Sequence, residues 1–274
     1  MPGVYDAWLG GPGRRSRPSG QDRRFRDVPE EALRRAVAEF VGTFTLLFIG
    51  IGSIVTAGQI HDPSLIGIAL AHGLAIAIMV SALGHISGGH FNPAITFAFL
   101  VTRRIKPAVG LIYWAAQLAG GTLGALLVQQ LLPHAATDPV SLGVPAIGHG
   151  VNAGAAFGLE AILTFFLAWV VFATAVDPRG TFKSIAGLAI GLTITMDILF
   201  GGPFTGAAMN PARAFGPQLI GDHWANGWVW YAGPVLGATV AAVLYELLYL
   251  RPMPLEPLGS DASGVREPRA NEPI

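Results

Sequence analysis

The stretch His90-Phe91-Asn92-Pro93-Ala94 decides how this chain folds, because its core returns 118 residues later as Met209-Asn210-Pro211-Ala212-Arg213. In each copy an Asn precedes Pro-Ala and a short apolar run. An Asn carboxamide caps the free N–H groups of a helix start, and Pro at the next position is preset to helical φ and lacks an N–H that would need a partner. Each copy therefore begins a helix. The first, Pro93 to Val101, would be only about 13 Å long, less than half of a ~30 Å bilayer core. It reads as a half-helix.

The surrounding composition supplies the bilayer. Of 274 residues 52% are hydrophobic and 12% charged, with a mean hydropathy of +0.52, which is the membrane class. Formal net charge is zero, and no basic patch is interleaved with aromatics, so a nucleic-acid partner has no electrostatic support. There are no cysteines, hence no disulfides and no thiolate metal sites. Six apolar segments of spanning length fall at roughly 36–57, 66–84, 108–131, 154–176, 184–201 and 227–250. The two Asn-Pro-Ala stretches follow the second and fifth of these and are too short to cross.

Basic residues set the orientation. Eight of the 17 Lys and Arg precede the first span, three lie at 103–106, two at 177–183 and three after the last span. Those sites share one side if six helices cross, and the opposite loops carry none. Both termini are therefore expected to be cytoplasmic. Arg213 is the one basic residue left over, and an unpaired charge at membrane depth is functional by default.

The chain is also an internal repeat. Glu39 precedes Asn92 by 53 residues and Glu160 precedes Asn210 by 50. Each half holds three spans, an odd number, so the second half enters from the opposite face and the repeat is inverted. Two half-helices then dip in from opposite sides and meet near the midplane. Gly120/Gly124, Gly154/Gly158, Gly187/Gly191 and Gly233/Gly237 have the spacing of close helix crossings.

These residues carry a resemblance. The paired motifs, the strings Gly84 to Ala94 and Gly206 to Arg213, and the paired Glu39 and Glu160 are similar to those of the aquaporins, the major intrinsic protein family, over nearly all of 36–250. The resemblance implies an all-α membrane protein with six transmembrane helices and two re-entrant half-helices. It also implies a homotetramer with one pore per protomer, passing water and small neutral solutes across a lipid bilayer, without a cofactor, a metal or enzymatic turnover. The expected organisation is a disordered Arg-rich cytoplasmic arm over 1–32, a channel domain over 33–251 with halves at about 36–131 and 154–250, and a disordered cytoplasmic tail over 252–274.

By the same resemblance the pore motifs are Asn92, Pro93, Ala94, Asn210, Pro211 and Ala212, and the aromatic/arginine selectivity filter is His72, Ile198, Ala207 and Arg213. This combination departs from the strict water channels and resembles some tonoplast intrinsic proteins of plants. Glu39, Glu160 and Gln117 are expected to hold the re-entrant loops. Ala214 and Gln218 stand where glycerol facilitators carry Asp and a basic residue, and Trp230-Tyr231 matches the aromatic pair of water-selective members. Water is thus the expected main permeant. A broader facilitator of ammonia, urea, hydrogen peroxide or glycerol is the alternative that Ile198 and Ala207 favour, and a proton-coupled transporter using His72, Asp197, Glu39 and Glu160 is the alternative from another class. Asp197, beside Ile198, is open to a salt bridge, an interhelical hydrogen bond or a place near the outer mouth. Pro217 should shorten or bend the second half-helix. The excess of Arg over Lys points to a bacterial plasma (inner) membrane.

Overall fold

A computed structural model describes residues 20–60, 64–179 and 185–251. The described α-helices are α1 (Gly20–Gln59), α2 (Leu65–Ser87), α3 (Pro93–Val101), α4 (Pro107–Leu131), the single turn α5 (His134–Thr137), α6 (Ala153–Val171), α7 (Ala186–Thr205), α8 (Pro211–Gly221) and α9 (Val229–Tyr245). α6 and α9 each end in a π-helical turn, Phe172–Val176 and Glu246–Leu250. Six of these helices are long and apolar enough to cross a membrane. α3 and α8 are the two half-helices.

Local sequence marks the ends. Ser64 caps α2 by accepting from the Gly67 N–H, and Asn152 caps α6 by accepting from the Ala155 N–H. α2 and α7 both stop at a left-handed glycine, Gly88 (φ 93°) and Gly206 (φ 79°), whose N–H closes back on the carbonyl four residues earlier. Such a conformation costs glycine little and would strain a residue with a Cβ.

Two expectations need correction. The arm expected to be disordered over 1–32 is helical from Gly20 onward. Glu30 pairs with Arg34 and Glu31 with Arg35 in the favoured acid-before-base order, and neither Gly nor Pro interrupts residues 30–41. The first span can thus propagate its helix backwards out of the apolar region. Residues 1–19 of the arm and the 252–274 tail lie outside the described residues. Of the two effects expected of Pro217, shortening does not occur, since α8 continues for 11 residues. Its neighbour Gly216 packs so closely on α4 that a Cβ there would come 2.5 Å from the Gly121 carbonyl oxygen.

The halves correspond element by element: α1 with α6, α2 with α7, α3 with α8 and α4 with α9. α1 packs along α4, α6 along α9, and α2 meets α7 across the repeat boundary. Glycine makes these crossings close. A Cβ at Gly120 or Gly124 of α4 would run into the backbone of α1 at Phe40 and Phe44, one at Gly237 of α9 into Ala161 of α6, and those at Gly187 and Gly191 of α7 into α2. Gly154 and Gly158 are different: nothing lies within 4 Å of a Cβ at Gly158, so that pair makes no such crossing within the protomer. The outer surface is apolar, with Ile78, Ile162 and Phe200 more than half exposed. That surface suits lipid and would be a liability in water.

Candidate functional site

Both half-helices start in the interior. Asn92 and Asn210 are extended (φ −156° and −154°), and each side-chain oxygen accepts the N–H two residues on, from Ala94 at 2.8 Å and Ala212 at 2.9 Å. Their amide nitrogens cross between the halves. Asn92 Nδ2 donates to the Met209 carbonyl at 2.8 Å, and Asn210 Nδ2 donates to the Phe91 carbonyl at 2.9 Å. Phe91 and Met209 take left-handed φ of 48° and 50°, which presents those carbonyls to the opposite loop. Each Asn therefore stitches the two loops together with one amide hydrogen and keeps its second.

Behind each loop sits a buried carboxylate. Glu39 accepts from Ser87 Oγ (2.6 Å), the N–H groups of His90 (3.0 Å) and Phe91 (2.7 Å), and Gln117 Nε2 (2.8 Å). Glu160 accepts from Thr205 Oγ1 (2.7 Å) and the N–H groups of Ala208 (2.9 Å) and Met209 (2.8 Å). A charge buried in an apolar bundle survives only when its lone pairs are used, and here the loops' orphan N–H groups use them. Gln117 also reaches Thr96 at 2.9 Å.

Sequence reading missed part of this device. Ser87 and Thr205 each donate to the carboxylate and accept the N–H two residues on, from Gly89 and Ala207 at 3.1 Å. Their carbonyls accept from Tyr113 Oη (2.6 Å) and Trp230 Nε1 (2.9 Å) respectively. The repeat register held the signal, for both hydroxyls stand five residues before an Asn of the motif. Gly143 was also missed. Ser141, Leu142 and Gly143 are successively left-handed (φ 47°, 51° and 66°), and the Gly143 carbonyl accepts from Arg213 Nη1 at 2.7 Å.

The four residues of the expected filter come together. His72, Ile198, Ala207 and Arg213, all at most 5% exposed, line one cavity with Asn92 and Asn210. It is narrow, with a volume of about 30 Å³ open to water-sized molecules. His72, Ile198 and Arg213 also line a wider vestibule of about 340 Å³, with Gly143 and Pro203 on its wall. Those three therefore mark the border between vestibule and interior. The rest of the interior wall is mostly aliphatic: Ile76, Ile95, Ile190 and Ile194.

Asp197 stands apart from this cavity. It is 2% exposed, makes no salt bridge among the described residues, and its Oδ2 is enclosed without a hydrogen-bond partner among them. Gln218 accepts from Tyr231 Oη at 2.6 Å, so two positions read separately in the sequence are one contact. Where α6 and α9 end, Arg179 bonds both oxygens of Asp177 and the Tyr249 carbonyl, and Arg104 pairs with Glu246. The Arg179 guanidinium holds the Asp177 carboxyl well below the usual range, at about 2.

Comparison with known proteins agrees with this geometry. The family model "Major intrinsic protein" matches residues 28–245. A probable aquaporin TIP3-2 of Arabidopsis thaliana is 43% identical over 232 residues, covering 80% of this chain and 85% of its own. Aquaporin TIP4-4 of Zea mays is 42% identical over 235 residues, 84% of this chain and 92% of its own. The X-ray structure of the aquaglyceroporin from Plasmodium falciparum superimposes with a TM-score of 0.72 at 24% identity, covering 79% of this chain and 96% of that one, which is a likeness of fold. These relatives correct the expected plasma (inner) membrane, because the curated ones are of the TIP, or tonoplast intrinsic, type. Charge asymmetry orients a chain across a bilayer but carries no information on which bilayer, and arginine content is no better guide. A family model spanning most of the chain, relatives above 40% identity, and two stitched half-helices lead to one conclusion: this integral membrane protein belongs to the major intrinsic protein family, the aquaporins.

Proposed function

We propose that this chain is a passive water channel that excludes protons and ions. The observation that carries the reading is the meeting of two half-helix N-termini in one narrow cavity, with Asn92 and Asn210 bonded across it. Opposed helix starts place the positive ends of two dipoles at the midplane, where a cation is disfavoured. The remaining amide hydrogens of Asn92 and Asn210 would donate to a passing water's oxygen. A water held as an acceptor from both sides turns its hydrogens outward and breaks a continuous proton wire.

The roles of the border residues follow from their chemistry. Arg213, fixed by the Gly143 carbonyl, supplies a positive charge and donors at the narrow point. His72 adds a hydrogen-bonding edge. Ile198 and Ala207 leave the other walls apolar and one of them small, which supports passage of small neutral solutes as a second permeant class. Glu39, Glu160 and Gln117 serve as loop anchors, because the two carboxylates and the Gln117 Nε2 are engaged by loop and helix groups. That engagement argues against a proton relay, and membership of a channel family supports a channel rather than an enzyme. A homotetramer with one pore per protomer is the assembly the family suggests.

The test is purified protein in liposomes loaded with a pH-sensitive dye. Water efflux should accelerate over empty liposomes while the proton leak stays at the empty-liposome rate. Acceleration of both would remove the proton-exclusion part of the proposal.

A further inference from the structure

The position of His72 depends on a residue of another helix. Its ring is tied at Nδ1 to the Ile68 carbonyl one turn earlier on α2, at 2.9 Å. Its far edge lies against α1 where residue 50 is glycine. A Cβ built at Gly50 would stand 2.5 Å from Nε2, 2.7 Å from Cδ2 and 2.9 Å from Cε1, and these three ring atoms are its nearest neighbours. Such separations lie far inside the ~3.5–4.0 Å contact distance. The obstructing group is a side-chain ring held by one hydrogen bond, not backbone, so a side chain at position 50 would displace the ring.

The ring has one open direction. His72 is buried, and it borders both the vestibule and the interior cavity together with Arg213 and Ile198. Leaving α1, it would move across the opening toward them. We infer that Gly50 is a specificity-determining residue: by offering no side chain it receives the edge of His72 and sets the width of the border ring without touching the permeant. Gly52, two residues on and about 200° round the helix, meets nothing within 4 Å and serves as the control position. The inference rests on the reading of His72 as a filter residue.

The experiment compares Gly50→Ala, Gly52→Ala, His72→Ala and the double variant Gly50→Ala/His72→Ala in liposomes, with water efflux and urea entry read from one light-scattering trace. Gly50→Ala should lower urea entry about ten-fold and water less, because a narrower ring obstructs the larger permeant more. Gly52→Ala should match the parent, and the double variant should match His72→Ala. Should the parent exclude urea, water is the readout, falling in Gly50→Ala and returning in the double variant. A Gly50→Ala protein that fails to insert while the double variant inserts also supports the clash with His72. Failure of both to insert, or a conducting Gly50→Ala with parental fluxes, overturns the inference. A parent at empty-liposome rates for both permeants overturns instead the channel reading on which it rests.

Discussion

At the scale of residues, the two halves invite matched substitutions. Thr205→Val leaves Glu160 with two donors and the Ala207 N–H without its acceptor. Loss of a buried partner costs about 1–3 kcal/mol, so thermal unfolding in detergent should occur earlier and water flux should fall. Ser87→Ala should cost a similar amount by the same route through Glu39 and Gly89. A parental melting midpoint in both variants would show that the hydroxyls are bystanders. Arg213→Val removes the guanidinium at the border and should raise urea entry and proton leak together, by at least about five-fold, since the group excluding charge and filling the ring is gone. A solute profile and leak equal to the parent's would mean that the narrow point lies elsewhere.

At the scale of elements, close crossings separate glycines that look alike in sequence. Gly237→Ala should prevent normal packing of α9 on α6, because its Cβ would meet the Ala161 carbonyl, whereas Gly158→Ala faces open space and should be neutral or stabilising by up to about 1 kcal/mol through helix propensity. Equal melting behaviour of the two variants would contradict the assigned crossings. The π-helical ends of α6 and α9 are tied by the Asp177, Arg179 and Tyr245 cluster. Because the folded carboxyl of Asp177 is depressed to about 2, its contribution is present above the unfolded value of about 4 and is lost as pH falls toward 2. Melting midpoints of the parent should therefore drop between pH 4 and 2 by more than those of Asp177→Asn, and parallel curves would refute the tie. The motif helices were legible because capping is local chemistry, and the Glu anchors because the resemblance implied them. Ser87, Thr205 and the Gly143 carbonyl were not. Ser and Thr are common in helices, and a backbone acceptor leaves no mark on the sequence until three left-handed residues turn it inward. Helical order from Gly20 was missed because breakers near the N-terminus outweighed the i,i+4 pairs in the reading.

At the scale of the whole molecule, span count, inversion and the meeting of half-helices followed from hydropathy and an odd number of spans per half. The membrane of residence did not, since neither charge asymmetry nor arginine content distinguishes the candidates. The absence of cysteine has a global consequence: mercury should not inhibit reversibly through a thiol, as none exists to bind it. Strong inhibition reversed by a thiol reagent would contradict this. The central claim is a water pore, and stopped-flow light scattering on proteoliposomes given a urea gradient tests it most directly. Shrinkage much faster than in empty liposomes, with reswelling that reports how far Ile198 and Ala207 open the ring to urea, is the predicted trace. Shrinkage at the empty-liposome rate, from protein shown to be folded and inserted, would contradict the account.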